Sequence, residues 1–321
     1  MIPLPPIPLI LNRKAGRKSL IALGLEKWLI RAPHSAREAA WSNEQIENEI
    51  LRVCRNENLN ICLHKTLSAG HAKQIAQDLI RQGARVIAVA GGDGTVNEVI
   101  NAAIGSETSL GIIPLGTANA FAIELGIPLS IQEALGVIKR GQIRTIDAGK
   151  AGQHYFAMGA SMSYEAHVIK KISPGFKYLF GAMAYIFQGI AESFSYPFPL
   201  LKVKIDHEEN IIHSGYLVIV ANARFYGGHF RAAPDARMDD GLLDVLIMRK
   251  KKLGNLLKYM STMRYGDITK LPDVEYLQCR RFQIDSEKQV PVHVDAEIRE
   301  TTPCVFECIP NALRIIVPPL C

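Results

Sequence analysis

The chain has 321 residues, 48% of them hydrophobic, with 37 Lys and Arg against 31 Asp and Glu for a formal net charge of +6. That length suits two ordinary domains with a sizeable core. The mild, dispersed charge gives no basis for a nucleic-acid partner, although Arg13–Lys18 and Arg249–Lys252 are local basic concentrations that suit a phosphorylated ligand or an anionic membrane surface.

Six cysteines stand at 54, 62, 279, 304, 308 and 321, and the pair at 304 and 308 has no second pair with zinc-ligand spacing. Free thiols in a reducing compartment are expected. The proline-studded start, Met1 to Pro8, has no basic n-region and does not read as a signal peptide. Tyr178 to Ala191, the longest apolar stretch, is interrupted by Gln188 and two glycines and is too short to span a bilayer. The expectation is a cytoplasmic protein that touches the inner membrane face peripherally, with a homodimer left open.

In chain order, Ile7 to Leu11 reads as a strand ending in Asn12-Arg-Lys-Ala-Gly16. Leu20, Ile21, Leu25, Trp28 and Leu29 then share one helical face. That helix either packs on the domain or lies at a membrane interface with Trp28 among headgroups. Ser42-Asn-Glu-Gln caps a helix to about Asn56. A strand over Leu59 to Leu63 leads through Thr66 to a helix from Gly70 to Gln82, on which His71 reads as solvated.

The centre of the chain is Val86-Ile-Ala-Val-Ala90 followed by Gly91-Gly-Asp-Gly-Thr95 and a helix over 95–104. A glycine turn between a buried strand and a helix lets main-chain N–H groups approach a phosphate. Asp93 inside it would repel a phosphate unless a divalent cation or a water network intervened. The turn lacks the Lys-Ser/Thr of a Walker A loop, and Asn97 stands where a dinucleotide fingerprint has its third glycine. A tight turn with no ligand is the alternative. Leu110 to Pro114 is the next strand, then Gly116-Thr-Ala-Asn119. The alternation through Arg140 predicts a parallel sheet between helices, with ligands at the carboxyl ends of its strands.

From about Gln142 the pattern becomes β-rich. Strands are expected over 143–148, 155–159, 201–205, 213–221, 243–248, 281–285, 305–307 and 313–317, and helices only near 164–194 and 253–265. The fold class expected is therefore α/β: a three-layer α/β nucleotide-binding domain over 1–142, then a β-sandwich domain over 143–321 whose last strand returns towards the first. Strand geometry through 292–297 would point Asp295 and Glu297 the same way. The aromatic segment 174–198 suits a core helix or an acyl-chain cleft.

Taken together, Gly91-Gly-Asp-Gly-Thr-Val-Asn-Glu98 and Ile113-Pro-Leu-Gly-Thr-Ala-Asn-Ala-Phe-Ala122 resemble the bacterial diacylglycerol/sphingosine kinase family of lipid kinases. Further blocks resemble it along nearly the whole chain: Asn12 to Gly16, Thr66…Gly70-His-Ala72, Gly159 to His167, Pro234…Asp240-Gly-Leu-Leu-Asp-Val245 and Asp295-Ala-Glu297. The resemblance implies ATP-dependent phosphorylation of a lipid hydroxyl, diacylglycerol-like, with the active site in an interdomain cleft. ATP would be held by Asn12, Arg13, Lys14, Ala15, Gly16, Thr66, Gly91, Gly92, Asp93, Gly94, Thr95, Val96, Asn97 and Thr117. Mg²⁺ would serve both at the phosphates through Asp93 and at a structural site made by Asp240 with the carbonyls of Arg237 and Leu242. Glu297 would be the general base. The chain departs from the family at Arg13 (proline), Ala120 (aspartate), Ser163 and Ala296 (both glycine), and in an insertion over about 17–41. An NAD kinase-like enzyme for a soluble alcohol and a nucleotide-responsive lipid-binding protein without turnover are the alternatives.

Overall fold

The structure is a computed structural model that describes residues 5–12, 41–116, 118–162, 164, 196–206, 211–226, 230–295 and 297–319. The expected loop at 13–16, the helix within 17–40, Thr117, Ser163, most of 174–198, Ala296 and Cys321 lie outside these residues. The chain forms two compact units, Met1–Ile146 with Ala312–Cys321, and Asp147–Asn311.

In the first unit, β1 (Ile7–Leu11), β2 (Ile61–Lys65), β3 (Val86–Gly91) and β4 (Ser109–Pro114) pair in parallel in the order β2-β1-β3-β4. Arg314 and Ile315, in the strand that ends at Val317, add a fifth strand in parallel beside Ser109 and Leu110. The continuous apolar runs follow from burial on both faces: Ile10, Ile87, Val89, Leu110 and Ile113 are fully buried. The helices are α1 (Asn43–Asn56), α2 (His71–Arg81), α3 (Asp93–Ala103), a short α4 (Ala120–Glu124) and α5 (Ile131–Arg140). Helix α2 packs on α3, and α1 on α5. A reciprocal capping box between Ser42 and Gln45 starts α1, worth about 1 kcal/mol to a helix.

Because β1 lies between β2 and β3, the chain leaves β1 in one direction and β3 in the other. In an open α/β sheet, that reversal makes the crevice where ligands bind.

The second unit is a β-sandwich. One sheet has the order β14-β13-β10-β7-β16-β17, from Val274–Cys279, Leu243–Met248, Leu217–Ala221, Gly159–Met162, Pro291–Val294 and Glu297–Thr301. Each of its five neighbouring pairs is antiparallel. Facing it are β15 (Arg281–Ser286), β8 (Leu201–Ile205), β9 (His213–Gly215) and the first part of β18 (Cys304–Val317). Met162, Val218, Val245 and Val292 pack against Val203, Ile284 and the stacked rings of Phe282 and Phe306, 5.2 Å apart. The outer face of the six-stranded sheet is covered by α6 (Leu253–Tyr265) through Leu256, Tyr259 and Met263.

Several boundaries differ from the expected ones. The strand expected at 59–63 lies at Ile61–Lys65, where it registers with Ile7–Leu11. Helix α3 starts at Asp93, not 95. The strand expected at 213–221 divides at Tyr216, so that β9 pairs with β8 in one sheet and β10 with β7 and β13 in the other. Five described cysteines are free thiols, and burial pushes Cys304 and Cys308 up to about 12, so they are unreactive.

Candidate active site

At the carboxyl ends of the first unit's strands, four segments are tied together. Asn12, one residue past β1, donates its main-chain N–H to the Ala90 carbonyl at 3.0 Å and its side-chain amide to Thr95 Oγ1 at 2.7 Å. Thr66 follows β2 and donates its main-chain N–H to the Leu11 carbonyl at 3.0 Å. Gly92 is the N-cap of α3, and the amides of Thr95 and Val96 close back on its carbonyl. A Cβ on Gly91 would come within 2.7 Å of Thr95 Cβ, and one on Gly116 within 2.7 Å of Gly92 Cα, so both glycines are required by close packing. Gly94 differs. A Cβ there would meet nothing within 4 Å.

Asp93 joins the two glycine-containing loops. Its carboxylate accepts the main-chain N–H of Phe121 at 3.4 Å and also faces the N–H groups of Asn119 and Ala120, at the start of α4. Burial pushes its pKa above the usual carboxylate range, and those N–H groups oppose the shift. Asn119 adopts φ 49° and closes its own loop, its Oδ1 accepting Gly116 N–H at 2.8 Å and its Nδ2 donating to Gly116 O at 3.0 Å. Glu98, one turn into α3, accepts the N–H groups of Gly70 at 2.8 Å and Ala72 at 3.1 Å, anchoring the loop after Thr66. His71 Nδ1 accepts Leu67 N–H at 3.0 Å and so is part of that loop. Asn97 and the buried Val96 point elsewhere: Asn97 Oδ1 accepts from Asn101 Nδ2 at 2.9 Å and Val96 lies in the core.

In the second unit the two carboxylates expected on one strand face are separated. Val294 ends β16 and pairs directly with Glu297, the first residue of β17. The chain therefore reverses after Val294, with Asp295 at φ 41°. The Asp295 carboxylate accepts the N–H groups of Ala157, Met158 and Gly159 at 2.8, 3.1 and 3.0 Å, a structural clamp on the β6–β7 connection, β6 being His154–Phe156. Glu297 is exposed and accepts from Arg299 Nε at 2.9 Å. Beside this hairpin, buried His293 lies 3.4 Å from the Tyr226 hydroxyl, which donates to Ser161 Oγ at 2.7 Å.

Residues 28–151 match the diacylglycerol kinase catalytic domain, and residues 160–317 match the YegS C-terminal NAD kinase beta sandwich-like domain. A probable lipid kinase YegS-like protein of Chromohalobacter salexigens is 32% identical over 308 residues, 91% of this chain and 93% of the relative. The chain belongs to the diacylglycerol kinase family of lipid kinases. A diacylglycerol kinase of Bacillus subtilis is 26% identical over 279 residues, 84% of this chain and 90% of that one. The crystal structure of a diacylglycerol kinase from Bacillus anthracis str. Sterne shares the fold, with a TM-score of 0.72 at 21% identity over 98% of this chain and 97% of that chain.

For this lipid kinase the structural Mg²⁺ set implied by resemblance can be weighed on its own geometry. Asp240 Oδ1 accepts Leu242 N–H at 3.0 Å, in a turn whose Gly241 N–H is bound by Asp147 Oδ2 at 2.7 Å. Nearby, fully buried Asp244 is bound by Tyr276 and Gln278 through one oxygen, while its Oδ2 has no hydrogen-bond partner among the described residues. Burial, with the charges of Asp240 and Asp235 adding to it, raises the Asp244 pKa. A hard cation fits this all-oxygen, acid-rich turn, where it would offset that repulsion. Among the described residues no three His, Cys, Asp or Glu side chains are arranged to ligate a metal, so carbonyls would have to contribute.

Sequence reasoning did not find the clamps made by Glu98, Asp147 and Asp295. Each binds main-chain groups far away in sequence, and no local pattern signals such a bond.

Proposed function

We propose that this lipid kinase transfers the γ-phosphate of ATP to the hydroxyl of a diacylglycerol-like lipid. The observation that carries the nucleotide half is the convergence of Asn12, Thr66, Gly92–Gly94 and the Gly116–Asn119 loop at the β1/β3 switch point. The N-terminus of α3 there offers main-chain N–H groups and a positive dipole end to the phosphates. The open space over Gly94 supports this role, since packing gives no reason for a glycine at that position. Asn12 and Thr66 hold the neighbouring strand ends in register, and Arg13 to Gly16 and Thr117 complete the proposed nucleotide contacts. Asp93 positions the second loop and keeps lone pairs for water around a cation.

On the second unit Glu297 takes the proton of the lipid hydroxyl as the new O–P bond forms. The bond from the γ-phosphorus to the bridging oxygen breaks, releasing ADP. Mg²⁺, when bound near Asp93, would neutralise charge at the phosphates, and Asp240 with the carbonyls of Arg237 and Leu242 would hold a second ion.

The diacylglycerol-like acceptor is supported by the names of relatives that share the fold along most of their length. No helix among the described residues is long and apolar enough to cross a membrane. We read the contact with a membrane-resident acceptor as peripheral, at the cytoplasmic face of the bilayer, on the strength of the basic Arg249–Lys252 run.

The test is a labelled-ATP assay against diacylglycerol, sphingoid base, ceramide, phosphatidylglycerol and NAD. Label should enter diacylglycerol. Label in NAD alone would move the protein to the soluble-alcohol reading, and ATP-dependent vesicle binding without any transfer would make it a binding protein.

A further inference from the structure

The chain from 249 to 270 is Arg-Lys-Lys-Lys-Leu-Gly-Asn-Leu-Leu-Lys-Tyr-Met-Ser-Thr-Met-Arg-Tyr-Gly-Asp-Ile-Thr-Lys, with a single acid, Asp267. Helix α6 carries none. Its inner face is settled by the burial of Leu256, Tyr259 and Met263 against the β-sheet. Helical spacing then puts Leu257, Lys258, Ser261, Arg264 and Tyr265 on the outer face.

Leu257 and Tyr265 on that face are 43% and 85% exposed, so two large apolar side chains stand among its cations. Lys250, Lys251 and Lys252, just before the helix, are also exposed.

The neighbouring acids do not neutralise this surface. Asp267 is bound to Lys270 and Thr269, and Glu275 to Arg249 and His213. Asp273 is buried under Tyr259, which holds its carboxyl below the usual range, with Lys250 and Lys258 acting on it only at longer range. Among the described residues no carboxylate forms an ion pair with Lys250, Lys251, Lys252, Lys258 or Arg264. Lys251 instead lies over the Tyr216 ring, 4.5 Å from its centroid, and Arg264 beside Tyr265 at 5.6 Å.

We propose that Lys250–Lys252 and the outer face of α6 form the docking surface for an anionic lipid bilayer. Unpaired cations would meet lipid phosphates, while Leu257 and Tyr265 insert at the headgroup level, where a tyrosine's apolar ring and polar tip are both satisfied. The mixture of cations with protruding apolar side chains favours a bilayer over a purely polyanionic partner. This inference rests on the reading that the acceptor is a membrane lipid.

The experiment measures partition of the full chain into vesicles of phosphatidylcholine with and without phosphatidylglycerol. Each cation removed is expected to weaken binding to the anionic vesicles about fivefold, so that Lys252→Gln/Lys258→Gln loses roughly thirtyfold. Tyr265→Ser should weaken binding to both compositions, and added salt should weaken only the anionic component. The matched pair Arg280→Gln/Lys288→Gln, on exposed positions elsewhere in the same unit, should bind like wild type. Equal binding by wild type and the α6 variants, or equal loss in the control pair, would overturn the assignment. Phosphorylation of lipid in nonionic detergent micelles separates the two ideas: the α6 variants should keep that activity. A wild type that binds anionic vesicles through α6 but phosphorylates no lipid would fail the functional reading alone.

Discussion

The side-chain amide of Asn12 donates to Thr95 Oγ1 at 2.7 Å across 83 residues of sequence. It ties the end of β1 to the first turn of α3, the two ends that border the switch-point crevice. Thr95 is buried, so its hydroxyl has few alternatives. Asn12→Leu should cost about 1–2 kcal/mol of stability and raise the KM for ATP. Urea unfolding together with ATP titration checks both, and a changed stability with an unchanged KM would remove Asn12 from the nucleotide site.

Gly94 separates a structural role from a binding role. Alanine there meets open space and is the better helix former, so Gly94→Ala should leave the fold as stable or up to about 1 kcal/mol more stable. The same methyl group should obstruct the phosphates and weaken ATP binding roughly tenfold, about 1.4 kcal/mol. Thermal unfolding and ATP saturation curves on the one variant show whether the two effects part.

Burial pushes the pKa of His293 down to about 4 from an ordinary 6.5. Between those values the unfolded chain binds a proton that the folded chain refuses. Stability present above the unfolded value is therefore lost as pH falls through this window. At 1.36 kcal/mol per unit the full loss is roughly 3 kcal/mol. In His293→Leu this part of the acid slope should vanish, which denaturant midpoints at about pH 7.5 and about pH 5 would show against wild type.

Asp295 and Glu297 predict opposite outcomes, although a straight strand would have made them a pair. Removing the Asp295 carboxylate leaves three main-chain N–H groups unmet, so Asp295→Ala should cost roughly 2–4 kcal/mol of stability. Exposed Glu297 should be replaceable at little cost to the fold. Denaturation of the two variants side by side measures the difference.

The contrast shows what was legible beforehand. Strand β3, the glycine turn and the α1 capping box follow from local rules of periodicity and caps, and they lie where those rules put them. The hairpin at Asp295 did not announce itself, because a two-residue turn is usually marked by Asn-Gly or Asp-Gly and here the pair is Asp295-Ala296. Helix α3 begins two residues early because Asp93 is at home in a first turn and Gly94 is tolerated there. Strand β14, Val274-Glu-Tyr-Leu-Gln-Cys279, breaks strict alternation at the adjacent Tyr276 and Leu277 and carries no clear period-2 signal between α6 and β15. Its partner is β13 along the whole of its length, a relation set by register rather than by local pattern. The site residues that could be read were those in glycine-marked loops. The carboxylates that bind distant main-chain groups, Glu98, Asp147 and Asp295, needed the fold to reveal them.

The central claim is phosphoryl transfer to a lipid hydroxyl with Glu297 as the base, and the turnover of Glu297→Gln on diacylglycerol tests it most directly. The account predicts a kcat lower by roughly 10²–10⁴-fold, with unfolding and ATP affinity close to wild type. Transfer by Glu297→Gln at the wild-type rate would contradict it.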